Sequence, residues 1–216
     1  SQVPLFESHA HYIRWMEEQL SLGTMQNVRH LWISVRPNGD RRPYHVNRLE
    51  LRICDLVSNP VDLLAITALL EARIWQLIED PTLDPLVRTT LPAEDLNTVL
   101  VNLALENEQA AAQHSLDAVL KHWQTGETIV ARDWIQNLYQ EVWPIAKAKG
   151  FSCFLTPLQK LLREGNTAQK WLGLHQQGVS VTQILTTAIA DLEQEEQELE
   201  DKLCQSVKSD VLNNIR

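Results

Sequence analysis

The sequence predicts an α+β fold that is mostly helical, with helices packed on a short antiparallel strand pair. Two runs near the N-terminus alternate apolar and polar residues, which is the period of two that a strand with one buried face requires. From residue 59 onward, apolar residues instead recur every three or four positions, and Gly, Pro and Asn stand at the segment ends. That pattern is typical of capped helices, so we expect most of the chain to be helical.

The N-terminal region predicts one helix followed by the two strands. Apolar residues at helical spacing indicate a first helix that ends near Gly23. The alternating runs predict strands over His30–Arg36 and Arg48–Cys54. The turn-forming stretch Pro37–Asp40 lies between them, which favours antiparallel neighbours. In the second strand Leu49, Leu51 and Ile53 would share one face, and Arg48, Glu50 and Arg52 the other.

The remainder predicts a series of helices bounded by Pro, Asn and Gly. The expected helices are Asn59–Glu79, Ala93–His122 with a break near Glu106, Thr128–Lys149, a short one from Thr156 to Gly165, Asn166–Gly178, and a last one from Ser180. We expect three regions: residues 1–58 with the strand pair, residues 59–205 with the helices, and residues 206–216 as a frayed tail.

Composition limits the partners that the chain can have. With 19 Lys and Arg against 28 Asp and Glu, the net charge is −9, which argues against broad nucleic-acid binding. No apolar run approaches the roughly 18 residues of a membrane span, and no signal peptide is visible. The three cysteines are far apart in the sequence and show no paired spacing. We therefore expect a cytoplasmic protein with reduced thiols, bound neither to nucleic acid nor to membrane.

The second predicted strand carries the strongest candidate site. Arg48, Glu50 and Arg52 lie on its polar face, and Asp55 follows its end. A carboxylate can hold Mg²⁺, a hard cation that prefers oxygen ligands. A guanidinium can bind a carboxylate or phosphate through two parallel hydrogen bonds. The alternative interpretation is a solvated strand face on which Glu50 pairs with its neighbours across the sheet.

The stretch WISVRPNG…NRLELRICD resembles the central signature of the glutamate–cysteine ligase family, in the branch typical of photosynthetic bacteria. Weaker matches follow in ENEQAAAQHSLDAVL and LREGNTAQKWLGLHQQG. The matching positions are Trp32, Arg36, Pro37, Leu49, Glu50, Arg52 and Asp55, then Glu106, Asn107, Ala110, Gly165 and Ala168. The family's N-terminal strands, with their Gly-x-Glu-x-Glu metal motif, have no counterpart here. The resemblance therefore implies a C-terminal part that is incomplete as a catalyst.

The resemblance implies that the strand pair belongs to a glutamine-synthetase-like sheet, whose concave face holds ATP, Mg²⁺ and amino acids. The reaction would join the γ-carboxylate of glutamate to the amine of cysteine at the expense of ATP. It implies Glu50 as a Mg²⁺ ligand and Arg36 and Arg52 as catalytic residues. Arg52 would also bind a substrate carboxylate or phosphoryl group, together with Arg48 and Asp55.

Three questions stay open at this point. The basic loop with Arg41 and Arg42 is expected to close over the phosphates of ATP, but basic loops also serve as solubilising surface. The acceptor amine could differ from cysteine, as it does in related carboxylate–amine ligases. The chain could also be a non-catalytic helical interaction module, in which Glu50 and Arg52 are simply exposed.

Overall fold

Helices form most of the residues that the structure describes, and two separate strand pairs are also found among them. The computed structural model describes residues 3–27, 35–37, 49–51, 56–92 and 94–213. The helices are α1 His9–Ser21, α2 Pro60–Glu79, α3 Pro85–Arg88, α4 Leu96–His114, α5 Ala131–Ala148, α6 Leu158–Glu164, α7 Thr167–Gln176 and α8 Val181–Asn213. The strands are β1 Val35–Pro37, β2 Leu49–Leu51, β3 Val119–Lys121 and β4 Thr128–Val130. Short 3-10 turns lie at Pro81–Leu83, Ser115–Asp117 and Ser152–Leu155. The mostly helical α+β class is confirmed.

The chain divides into two compact units. The first consists of Ser1–Asp55 and Leu91–Leu105, and the second of Leu56–Thr90 and Glu106–Arg216. The division that we expected after residue 58 stays a prediction. None of the helices in the described ranges combines the length and the hydropathy that a bilayer crossing requires.

In the first unit, α1 ends near Gly23, as the sequence predicts. The Ser8 hydroxyl accepts a hydrogen bond from the His11 amide at 3.1 Å, which caps the N-terminus of the helix. After the helix, Gly23 takes a φ of +70°, a conformation that glycine adopts without strain. Tyr12, Met16 and Met25 form a buried cluster in this unit, with Phe6 and Trp15 among the partly buried residues packed against it.

In the second unit, α2 is the central helix of the core. The Asn59 side chain accepts hydrogen bonds from the amides of Val61 and Asp62 at 2.8 and 3.0 Å, and Pro60 is the first helical residue. Four side chains of α2 are buried against α5, α6 and the turn at Ser152–Leu155: Ala65, Ala68, Leu69 and Ala72. The three alanines allow a close approach to Val142 and Ala146 of α5, which are fully buried.

A β-hairpin stands where we expected the end of one helix and the start of the next. Helix α4 ends at His114, not near His122, and β3 then pairs antiparallel with β4. The register joins Val119 to Val130 and Lys121 to Thr128. The prediction of continuous helix was wrong here because long-range hydrogen bonds hold this segment: the Thr90 amide donates to the Gln124 carbonyl at 2.7 Å. The local signals for strand were Gly126 and the β-branched run after it.

The C-terminal helices follow the predicted stops and starts. Helix α5 continues through Pro144, and the chain then turns at Gly150 with a φ of +84°. Gly165, with a φ of +88°, separates α6 from α7, and Asn166 and Gln169 form a reciprocal capping box at the start of α7. These local rules located the helix boundaries well.

Candidate functional site

The strand pair β1–β2 places two of the predicted site positions opposite each other. Its antiparallel register pairs Arg36 with Glu50, between the pairs Val35–Leu51 and Pro37–Leu49. Directly opposite positions of antiparallel strands belong to the same face of the ribbon. One face therefore carries the Arg36 and Glu50 positions, and the other carries only apolar positions. The predicted antiparallel pairing and its alternation are confirmed over these residues.

This register has a chemical consequence. Opposite positions on neighbouring strands are separated by roughly 5 Å between Cβ atoms. A guanidinium and a carboxylate at that spacing can either pair with each other or bind the two ends of one polar ligand, the cation holding an anionic oxygen and the carboxylate holding Mg²⁺. The register therefore assigns polar positions to one face of the described strand pair and apolar positions to the other.

The other five predicted site residues all lie outside the described residues. They are Arg41, Arg42, Arg48, Arg52 and Asp55. Their assignment to substrate and ATP therefore stays a prediction. Among the residues that the structure describes, no three His, Cys, Asp or Glu side chains come together as a metal site. The Mg²⁺ prediction therefore rests on Glu50 together with oxygen ligands that a nucleotide would supply, an arrangement common for this cation.

The Glu106–Asn107 match has a structural role in the second unit. The Asn107 amide group donates to the Lys121 carbonyl and accepts from the Lys121 amide, both at 2.8 Å. The neighbouring Glu106 carboxylate binds the Lys121 ammonium, also at 2.8 Å. Helix α4 thus holds the first strand of the β3–β4 hairpin through one backbone clamp and one ion pair. The sequence matched these residues by resemblance, whereas only the structure shows what they bind.

A polar network that we did not predict begins at Asn166, the residue after Gly165. The Asn166 side chain donates to the Ser115 hydroxyl at 2.5 Å, and Gln169 donates to the Asp117 carboxylate at 2.7 Å. Arg132 binds the other oxygen of Asp117 at 3.0 Å. Ser115 has a φ of +55°, an uncommon conformation for a residue other than glycine. The network joins α7 to the turn before the hairpin, so residues far apart in sequence are held as one body.

Two ionisable groups of α2 have shifted pKa values. Burial raises the pKa of the Asp62 carboxyl; Lys170 and Lys160 oppose this shift, and Glu195 and Glu164 add to it. Burial lowers the pKa of the Arg73 guanidinium; Glu141 opposes this shift and Arg88 adds to it. Arg73 donates to Gln76 at 2.6 Å and lies 3.8 Å from the Glu141 carboxylate. The contact between Arg73 and Glu141 joins α2 to α5 and is a structural one.

Comparison with known proteins identifies the family. The model described as glutamate-cysteine ligase family 2 matches residues 2–198, which is most of the chain. The chain therefore belongs to this family, and the predicted family resemblance is confirmed. Its placement in the branch typical of photosynthetic bacteria stays a prediction.

Curated relatives match over a similar extent. Each of the following is named "Putative glutamate–cysteine ligase 2". The one from Sorangium cellulosum is 28% identical over 171 residues, covering 79% of this chain and 42% of the relative. The one from Gloeobacter violaceus is 25% identical over 191 residues, covering 87% and 46%. The one from Mycobacterium tuberculosis H37Rv is 28% identical over 182 residues, covering 82% and 45%. The matched part is therefore less than half the length of each relative. No solved structure matches the chain.

Proposed function

We propose that this chain is the C-terminal part of a cytoplasmic ATP-dependent glutamate–cysteine ligase. The product would be γ-glutamylcysteine, the first intermediate of glutathione synthesis. Membership of glutamate–cysteine ligase family 2 supports a ligase. The observation that carries the site assignment is the register that pairs Arg36 with Glu50 on one face of an otherwise apolar ribbon.

The proposed reaction proceeds in two steps. The γ-carboxylate oxygen of glutamate attacks the γ-phosphorus of ATP, which releases ADP and forms γ-glutamyl phosphate. The amine of cysteine then attacks the acyl carbon and loses a proton, and phosphate leaves. The protein contributes mainly position and charge, because phosphoryl transfer spreads negative charge over several oxygens.

Each proposed residue would position a substrate or stabilise part of this negative charge. Glu50 would hold Mg²⁺, which neutralises phosphate charge when bound. Arg36 and Arg52 would bind the transferring phosphoryl group, and Arg52 would also bind a substrate carboxylate. The remaining assignments are Arg48 and Asp55 to the amino-acid substrates and Arg41 and Arg42 to ATP. The remaining family sequence would supply further metal ligands.

The test is charge removal at the ribbon. In an active preparation, with this chain joined to or mixed with the N-terminal part of the family, Glu50→Gln and Arg52→Ala should each lower kcat/KM for ATP-dependent ligation by about 100-fold or more. The matched control is Glu193→Gln, an exposed carboxylate of α8, which should keep activity. Circular dichroism should show an unchanged fold in all three variants. Full turnover by either ribbon variant would contradict the site assignment.

The acceptor amine is tested separately. The ribbon chemistry would serve any amine that attacks an acyl phosphate, so it does not choose between cysteine and another amino acid. A panel of amines at fixed glutamate and ATP, with ADP release measured, decides between them. Cysteine should give the largest kcat/KM, and a clear preference for another amine would replace the proposed acceptor while retaining the reaction class.

A further inference from the structure

Helix α2 is apolar on both sides, although only one side is used inside its unit. Its buried side, described above, faces α5 and α6. We call the opposite side the outer face of α2; it consists of Leu63, Thr67, Leu70, Ile74, Leu77 and Ile78. These positions recur every three or four residues and therefore line one side of the helix. Five of the six are Leu or Ile, a composition typical of a helix that is buried all round.

The outer face is substantially exposed. Leu63, Leu77 and Ile78 have 51%, 45% and 64% of their surface exposed, and Leu70 and Ile74 are partly buried. The row from residue 63 to residue 78 spans roughly 22 Å at the rise of an α-helix. A contiguous apolar row of this length on a helix whose other side is already in the core indicates a surface that normally contacts something else.

The charges around the outer face restrict the occupant. Arg73 and Glu79 are engaged within the second unit, Arg73 with Gln76 and Glu141, and Glu79 with Lys149 at 2.8 Å. Glu71, next to Leu70, therefore remains as the charge that borders the middle of the row. In a two-fold antiparallel pairing of two α2 helices, each Glu71 would lie beside its own copy and the two would repel. A second copy of this chain is therefore a poor occupant.

We infer that the outer face of α2 docks against an apolar surface in the rest of the family's ligase, the part of the relatives' sequences that lies outside the matched region. This inference rests on the proposed function, in which the chain acts together with that sequence. The matched part covers only 42–46% of the relatives' lengths. More than half of each relative therefore remains to supply the surface that contacts α2. The partner surface would be apolar, with Lys or Arg opposite Glu71.

A binding experiment tests this contact without turnover. The probe is the part of the Sorangium cellulosum relative outside its 171 matched residues, made as a separate polypeptide. The variant of the outer face is Leu63→Gln/Leu77→Gln/Ile78→Gln. The control is Leu172→Gln/Leu185→Gln/Ile189→Gln on α7 and α8, which changes the same residue types at similar exposures of 55%, 45% and 60%.

The unchanged chain and the control variant should bind the probe, and the outer-face variant should bind at least about tenfold more weakly, measured by titration calorimetry. Failure of the unchanged chain to bind, or equal binding by the outer-face variant, would overturn the inference. A concentration-dependent dimer that the outer-face variant loses would also overturn it, since a second copy would then be the occupant.

A second measurement covers the case in which the triple variant does not fold. In a chain whose three native cysteines, two of which are exposed, are replaced by Ser, Ile78→Cys should react quickly with a maleimide, and the probe should slow that reaction about tenfold. Ile189→Cys should react at the same rate with and without the probe. Binding without ligation would support the docking contact and count against the proposed function. If the mixture catalyses ligation but the outer-face variant binds the probe as well as the unchanged chain, the result would support the proposed function and count against the docking contact.

Discussion

Single glycines mark the ends of several helices, and Gly165 is the most constrained of them. Its φ of +88° lies in a region that other residues enter only with strain, and a Cβ there would meet the Gln169 side-chain oxygen at 3.2 Å. Gln169 in turn closes the capping box with Asn166. The glycine that resembles the family pattern is therefore required by the backbone of this turn.

We predict that Gly165→Ala destabilises the fold by about 1–2 kcal/mol, because alanine at positive φ is strained. The control is Gly173→Ala within α7, where an added Cβ meets nothing within 4 Å. That change should stabilise by about 0.5–1 kcal/mol through helix propensity. Urea unfolding measures both. Equal effects of the same sign would show that the backbone at Gly165 is not as described.

Asp62 predicts a pH dependence of stability. Burial raises its folded pKa above the ordinary value, so its favourable contribution is present at low pH and is lost as the pH rises through the folded pKa. Asp62→Asn should therefore unfold at higher urea than the unchanged chain at pH 7. The difference should shrink as the pH falls towards 4. If Asp62→Asn instead unfolds at lower urea than the unchanged chain at pH 7, the nearby lysines dominate over burial.

At the scale of elements, the β3–β4 hairpin depends on distant partners. Asn107 of α4 clamps Lys121, and the Thr89 hydroxyl donates to the Trp123 carbonyl at 3.0 Å. Helical periodicity continues into this segment, which is why we expected helix up to His122. Contacts with residues 14 and 34 positions away make the hairpin more stable than a continued helix.

Asn107→Ala should destabilise the second unit by about 1–3 kcal/mol, because it leaves the Lys121 amide and carbonyl without this partner. Glu106→Ala, one residue away, removes only an ion pair whose two side chains are more than half exposed. It should cost less than about 1 kcal/mol. Hydrogen exchange at the hairpin amides, together with urea unfolding, measures the contrast. Similar losses for the two variants would argue against the clamp.

At the scale of the whole molecule, the chain matches less than half the length of its curated relatives. A two-stranded ribbon is too small to form a sheet of its own, so a nucleotide cleft requires further strands. We predict that the 216-residue chain alone gives no cysteine-dependent ADP release with glutamate, ATP and Mg²⁺. A coupled ADP assay checks this, and turnover above the protein-free rate would contradict it.

The sequence by itself determined the local features: the caps at Asn59 and Asn166, the glycine stop at Gly165, and the alternation of β1 and β2. Each depends on residues within a few positions or on a period that one strand carries, so local chemistry suffices. The tertiary structure alone decided the β3–β4 hairpin and the network joining Asp117 to Gln169. Those depend on partners brought together only when the core around α2 closes, and no local pattern encodes that distance.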